Sequence, residues 1–593
     1  MNYLLYCFKI SWESSRFYTL SRSLCKIFVP MLSFCDAYII KLLLDSLGTA
    51  DPSHPPIVLF GMIVLISLVI KVLSSTMSGV YTYSADMQCN VLNHTLQKRV
   101  MEKGLNSDVS LFDDTKKFNH FSTVQRDIQS FINYFWYSME AVSSAVFCSI
   151  SFFVLAKENI LFGIIIFLST IPSIFIQQHF TKKYYKLSCS LIQKVREADY
   201  TFQIATTRSF GQIIRTLNIG NWIKEKFDML WRDTFHQQRI CYKESCIVQQ
   251  VTQLVPQVMI AGIEFVIILK VLYGQLSIGS LTLYTTMLTQ LVSNTNSLVA
   301  NLVSVYDNRI KIENIQAYDT IQPSVENNGT LILPNIQSIR FDHVFFSYPN
   351  SKNETLSNIS FEIHSNEFVA FVGENGSGKT TIVKLLLRLY DVSDGCILIN
   401  GRNIKEYTLE SLRHQCCTYF QNQENFSYTI RENVQLGNIL DFNSAHIISA
   451  LKESDSTELL SKSPHGIDAY VSKDFSDEGL VLSGGENQKI ALAQTIFGFE
   501  KSSLILLDEP SSALDALSEQ RILDNINILR TQKDRITILI SHQLSNVQHA
   551  SQIFVLSGGK IVQQGNHAFL MSSDGLYSYM YAKQANRYYS KEE

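Results

Sequence analysis

The chain has 593 residues, 46% apolar and only 17% charged. An ordinary soluble chain carries about 25% charge, so neither a disordered polymer nor a wholly soluble enzyme fits. Fifty basic against fifty-three acidic residues leave a net charge of -3, which gives nucleic acid no global basic field to bind. The long apolar runs crowd into the first half, and the second half reads as a water-soluble domain; at this length two or more folding units are expected. The eleven cysteines form no CxxC pair, and Cys416-Cys417 reads as two buried thiols. Residues 1–26 mix charges with aromatics and lack the short apolar core and small-residue site of a cleavable signal.

A membrane span needs about 20 mostly apolar residues, because the hydrocarbon core is about 30 Å thick and a helix rises about 1.5 Å per residue. Six segments qualify: 17–44, 57–83, 134–156, 159–176, 245–273 and 281–306. Their connections alternate between short and long, and the long ones, 84–133 and 177–244, are helix-forming and collect most of the Lys and Arg. The positive-inside rule therefore puts both termini and the long connections in the cytosol. The expected architecture is an all-α six-helix transmembrane domain with long cytosolic extensions over residues 1–311, a linker at 312–337, and a soluble domain over 338–593.

The last two spans are unusually polar. In the sixth, Thr282, Thr286, Thr289, Ser293, Asn296 and Ser297 share one helical face, and in the fifth so do Gln250, Gln253, Gln257 and Glu264. Facing lipid such groups would be expensive, so they face protein or a wet cavity for amphiphilic cargo; interhelical hydrogen bonding is the plainer alternative. Asp36 and Lys71 lie at similar depth in the first two spans, as an ion pair or as cargo contacts.

Beyond the linker, a buried-strand run at residues 368–372 leads into Gly373-Glu374-Asn375-Gly376-Ser377-Gly378-Lys379-Thr380 and then a helical stretch starting at Thr381. This is a phosphate-binding loop in its strand–loop–helix setting. The glycines let backbone N–H groups converge on phosphate, Lys379 neutralises the terminal phosphates, and the Thr380 hydroxyl suits Mg²⁺. Downstream, Leu504-Ile505-Leu506-Leu507 ends in Asp508 and Glu509. Asp508 suits the metal shell, and Glu509 suits polarising an attacking water.

Between these elements, Leu482-Ser483-Gly484-Gly485-Glu486-Asn487-Gln488 is similar to the signature motif of ATP-binding cassette (ABC) proteins. Tyr348 matches the family's adenine-stacking aromatic, Gln421 its strand-end glutamine near the metal, Ser512-Ala513-Leu514-Asp515 its dimer-contacting segment, and His542 its γ-phosphate histidine. All appear in family order, and with six upstream spans the chain resembles an ABC exporter half-transporter carrying an α/β nucleotide domain with a helical subdomain. The resemblance implies two ATP molecules sandwiched between two protomers, each site pairing Lys379 and Glu509 of one copy with Ser483 and Gly485 of the other. A homodimer suffices, because Glu509 and His542 are both present; a heterodimer is possible. The chain departs from the pattern at Glu486, Gln494 and Gln543, where glutamine, arginine and arginine are usual.

The stretches at 112–119 and 205–210 are candidate transverse coupling helices, and the first, like 196–200, resembles the peptide and lantibiotic exporters of the family. Cys7 has no room before the first span for the partner histidine of a leader-cleaving protease. The expected activity is ATP-driven export of an amphiphilic peptide through the bilayer of the cytoplasmic membrane. The alternatives are a lipid or multidrug exporter of the same architecture and, further off, an ATP-gated channel or regulatory ATPase.

Overall fold

The computed structural model describes residues 3–49, 57–207, 210–319, 324–349, 351, 353–421, 423–436, 444–510, 518–521, 524 and 534–589. The chain divides into two compact units, one of residues 1–105 and 120–321, the other of residues 106–119 and 322–593.

The first unit is helical. It contains α1 (Tyr3–Ser14), α2 (Arg16–Thr49), α3 (Ile57–Leu105), most of α5 (Thr115–Glu158), α6 (Ile160–Thr206), α7 (Gly211–Thr216), α8 (Gly220–Leu272) and α9 (Ile278–Asp319); the short α4 (Ser110–Asp113) belongs to the second unit. Among the described residues, five helices are long and apolar enough to cross a membrane, within 16–48, 57–105, 128–158, 160–206 and 220–272. The sixth expected span, 281–306, lies inside α9, which is not among those five, because Thr, Ser and Asn interrupt its apolar residues. Its Leu283, Met287, Leu288 and Leu291 are buried against Leu155 of α5, Ile166 of α6 and Ile267 of α8, so protein covers its apolar face.

Several ion pairs of this unit join different helices. Lys71 of α3 lies 3.9 Å from Asp36 of α2, whose carboxylate also accepts a 3.0 Å hydrogen bond from Ser67. Lys26 meets Glu140 at 2.5 Å, Lys270 meets Glu158 at 2.6 Å, and Lys183 pairs with Glu244. Cys7 is fully buried in α1, and burial pushes its thiol up to about 12, so it stays protonated and unreactive.

The second unit carries two sheets. An antiparallel one has the order β2-β1-β4-β5, built from β1 (Ser338–Phe346), β2 (Leu356–His364), β4 (Asp394–Ile399) and β5 (Arg402–Asn403). A six-stranded sheet has the order β10-β9-β3-β8-β7-β6, from β3 (Phe368–Gly373), β6 (Cys416–Tyr419), β7 (Leu504–Asp508), β8 (Ile536–Ile540), β9 (Gln552–Ser557) and β10 (Lys560–Gly565); all its pairs are parallel except β9 with β10. The strands β3, β7 and β8 are buried along their whole length, as a parallel sheet covered on both faces requires. Alternation divides them between two cores: Val369, Phe371, Leu504 and Leu506 pack on one side, Ala370, Val372, Ile505 and Leu507 on the other. Cys416 and Cys417 begin β6, where burial pushes both thiols up to about 12. Helices α10 (Lys379–Leu386) and α11 (Leu409–His414) follow β3 and β5, and a helical region of α12 (Ile430–Gln435), α13 (Ser444–Glu453), α14 (Glu458–Ser461) and α15 (Gly484–Gly498) stands between β6 and β7.

Candidate ATP site and membrane cavity

The phosphate loop leaves the C-terminal end of β3, the end at which ligands bind in open α/β sheets. Gly378 holds a left-handed φ of +102°, and a Cβ there would sit 2.5 Å from the Leu356 side chain, so glycine is required on both counts. Lys379 opens α10 almost fully buried, its ammonium donating to the carbonyls of Gly373 and Glu374 at 2.9 Å each. Burial lowers its pKa, and the nearby Glu509 and Asp508 partly restore it. The Ser377 hydroxyl is buried with no hydrogen-bond partner, which suits a phosphate oxygen. Glu374, Asn375 and Gly376 form the exposed rim of the loop.

Thr380 donates a 2.8 Å hydrogen bond to Asp508, which is 1% exposed at the end of β7. Burial raises the Asp508 pKa, an effect opposed by the Thr380 hydroxyl and by Lys379. Glu509 follows with φ +52°, a left-handed turn that costs about 1 kcal/mol or more in a non-glycine residue. Its N–H donates to the Ile540 carbonyl at 3.0 Å. The Gln421 side chain donates to Glu509 Oε2 at 2.6 Å, and His542 Nδ1 lies 3.2 Å from the same oxygen. Three residues read from separate segments, Glu509, Gln421 and His542, thus meet at one atom.

Tyr348 lies beside the loop, its hydroxyl 3.1 Å from that of the buried Thr381. Phe346 and Tyr390 meet its ring edge-on at 5.0 and 5.3 Å, and Lys384 lies 5.2 Å from its centroid. Tyr390 in turn hydrogen-bonds Asp113 of α4, and burial with that carboxylate raises the Tyr390 pKa. Asp108 and Ser110 of the same segment bond Val325 N at 2.8 Å and Ser324 at 2.6 Å. The sequence singled out 112–119 as a coupling segment but gave no signal for Tyr390 as its partner. Of the other candidate, 205–210, Arg208 and Ser209 lie outside the described residues.

Ser483 caps α15 in a reciprocal box: Glu486 N–H donates to Ser483 Oγ at 3.3 Å, while Ser483 N–H and Oγ each donate to Glu486 Oε2 at 2.8 Å. Lys462 pairs with the other Glu486 oxygen, and these contacts hold the carboxyl down at about 2. Ser483 and Gly484 are exposed and Gly485 half-exposed, so the helix start is accessible from outside the chain. Sequence reasoning missed Lys462, which carries no motif. Gln494, where arginine is usual, accepts a 2.7 Å hydrogen bond from Gln423 and so ties α15 to the segment after Gln421. Ser512 and Asp515 lie outside the described residues.

In the membrane unit a cavity of about 290 Å³ opens between α6, α8 and α9, lined by Ser173, Gln177, Gln249, Thr252, Gln253, Asn296, Ser297 and Ala300. Of the residues on the polar faces read from the sequence, Gln253, Asn296 and Ser297 line it. Asp36 and Lys71 are engaged with each other, and the Thr286 and Thr289 hydroxyls are spent on Thr282 and Thr285 carbonyls of their own helix at 2.7 and 3.2 Å. Gln257, Glu264 and Ser293 share the helices but not the lining. Ser173 was missed because its span, 159–176, reads as apolar, and Gln177 because it falls at the start of the long connection 177–244.

The ABC transporter family profile matches residues 356–512, which hold the phosphate loop, the signature segment and the Asp508-Glu509 pair. The chain is 28% identical to the subtilin transport ATP-binding protein SpaT of Bacillus subtilis over 582 residues, 95% of this chain and 92% of that protein. It is 38% identical to an ATP-dependent lipid A-core flippase of Haemophilus ducreyi over 260 residues, 44% of this chain and 43% of the flippase. A bacterial Atm1-family ABC exporter solved with ATP bound superposes with a TM-score of 0.81 at 23% identity, covering 96% of this chain and 98% of that one, which shows the shared fold. Profile, fold and site geometry agree: the chain is an ABC exporter half-transporter, a multi-pass helical membrane-type domain joined to a nucleotide-binding domain whose ATP hydrolysis drives transport.

Proposed function

We propose that two copies of this chain export an amphiphilic peptide across the cytoplasmic membrane, with both termini cytosolic. The observation that carries the peptide reading is the end-to-end similarity to a subtilin transporter, which includes the membrane half. The lipid-exporter reading rests on the higher identity to the flippase, over less than half of either chain.

In this reading, residues 1–311 form the transmembrane domain, 312–337 the linker and 338–593 the nucleotide domain. The γ-phosphate of ATP lies between the phosphate loop of one copy and Ser483 and Gly485 of the second, with adenine on Tyr348. Glu509 accepts a hydrogen bond from the attacking water, and Gln421 and His542 fix the carboxylate oxygen that does so. The Thr380 hydroxyl and buried Asp508 carboxylate, 2.8 Å apart, suit Mg²⁺, which takes one or two protein oxygens beside substrate phosphates. Bound there, Mg²⁺ would offset charge on the β- and γ-phosphates. Closing the seam moves the docked segment at α4 and turns the cavity outward, and hydrolysis resets it.

The test is ATPase stimulation of the full-length protein in proteoliposomes, with amphiphilic peptides in one arm and lipid A-type lipid in the other. Peptide is expected to raise the rate; a response to lipid alone overturns the reading.

A further inference from the structure

The membrane cavity has an unusual chemistry. Seven of its eight lining residues carry a hydroxyl or an amide, and none is Asp, Glu, Lys or Arg. In a low-dielectric surrounding such groups are expected to pair within the protein. Thr252 does, donating to its own helix at Val248 O (2.8 Å) and Gln249 O (3.0 Å). The side chains of Gln177, Gln249, Gln253, Asn296 and Ser297 make no hydrogen bond to another described residue, and the Ser173 hydroxyl is buried without a partner. A further acceptor comes from the backbone: Pro256 lies inside α8 and lacks the N–H that would close the helical bond to the Thr252 carbonyl. Three helices thus bring to one open space amide and hydroxyl groups that make no hydrogen bond to another described residue, and no charged side chain lines it.

These groups select by type. A carboxamide presents a donor and an acceptor side by side, as a peptide unit does, so four of them pair with extended backbone through both halves. A phosphate or carboxylate offers acceptors only; it would leave the amide oxygens facing a negative charge with no cation in the lining to offset its desolvation. The lining itself holds no basic residue; beyond it His179, Lys182 and Lys183 follow on α6 and Lys243 and Glu244 precede on α8, with Lys183 and Glu244 paired to each other. A volume of about 290 Å³ sits at the low end of ligand pockets, which run from about 300 Å³, and holds a short segment rather than a whole peptide.

We propose that this cavity binds an uncharged stretch of cargo backbone through the amides of Gln177, Gln249, Gln253 and Asn296, and excludes segments bearing phosphate or carboxylate. The proposal rests on the peptide-export reading and adds to it which part of the cargo the protein grips.

Two probes test it on the full-length protein in nanodiscs: a short capped peptide of leucine, serine and glycine, and the same peptide with two phosphoserines. Binding is read by fluorescence anisotropy and, in parallel, by stimulated ATP hydrolysis. The unmodified protein is expected to bind the uncharged probe at least about tenfold more tightly than the phosphorylated one. Gln253→Leu combined with Asn296→Leu is expected to weaken the uncharged probe by about tenfold or more, with Gln253→Asn and Asn296→Gln losing less. Equal affinity for the two probes, or unchanged affinity in the leucine variant, overturns the proposal; peptide-stimulated hydrolysis in the same samples would leave the export reading standing. If neither peptide binds while vesicles of anionic lipid stimulate hydrolysis, both readings fall together.

Discussion

The phosphate loop and the membrane cavity handle polar groups in opposite ways. In the loop most of them have partners inside the chain: Lys379 on two carbonyls, Thr380 on Asp508, and Gln421 and His542 on Glu509, with Ser377 left over. In the cavity only Thr252 is internally satisfied. A site that must bind one ligand and drive one reaction is held rigid before the ligand arrives. In the proposed role, a site that must release its cargo on the other side gains from groups whose alternative partners are water.

The comparison breaks most sharply at Glu509. Glu509→Gln keeps the size but removes the charge that, in the proposed mechanism, orients water beside Gln421 and His542. Steady-state phosphate release should fall by about 10²–10⁴-fold while ATP is still bound, measured by a coupled phosphate assay beside nucleotide binding. Unreduced turnover would show that the loop's rigidity serves binding alone.

A smaller effect is expected where the nucleotide domain holds the segment 106–119. Tyr390→Phe removes the hydroxyl that bonds Asp113 yet keeps the ring against Tyr348. A bond to a charged group is worth about 1.5–3 kcal/mol, less in a partly exposed site such as this one. Amide exchange across Asp108–Asp113 should quicken severalfold by mass spectrometry, with β3 and β7 unaffected. Unchanged exchange would mean that the Asp108 and Ser110 contacts alone hold the segment.

How much of this was legible in the sequence follows from the distance over which each constraint acts. The phosphate loop could be read directly because its chemistry demands contiguous glycines, a lysine and a hydroxyl. The convergence on Glu509 was reachable only through resemblance, since Gln421 stands 88 residues away. Tyr390 with Asp113, 277 residues apart, and Lys462 with Glu486, 24 apart, leave no local pattern. In the membrane half, helical periodicity identified polar faces but not which turns meet: Gln253, Asn296 and Ser297 border the cavity, Gln257, Glu264 and Thr289 do not, and Ser173 and Gln177 carry no periodic signal. Depth along a span is set by packing against neighbours, and a single helix does not carry that information.

The finest distinction concerns Glu486, which in the proposed dimer would place a fixed negative charge where the seam receives a γ-phosphate from the second copy. The anion already satisfies the Ser483 hydroxyl and the start of α15, and Lys462 offsets its charge. Lys462→Met leaves that charge uncompensated and should raise the ATP concentration for half-maximal hydrolysis. Glu486→Gln keeps the cap without the charge and should lower it, and the double variant should fall between them. The pair is partly exposed, so each change should stay within about fivefold, as for a surface ion pair. A structural role alone would instead change the maximal rate or the yield of folded protein. The pH dependence gives a second check. The folded carboxyl titrates at about 2 against 4.5 for the free group, so its stabilisation is complete above about 4.5 and lost as pH falls toward 2. The melting-temperature difference between Glu486→Gln and the unmodified protein should therefore be constant from about pH 5 to 8 and shrink only below about 4.5; a difference that varies near neutrality would place the titrating group elsewhere.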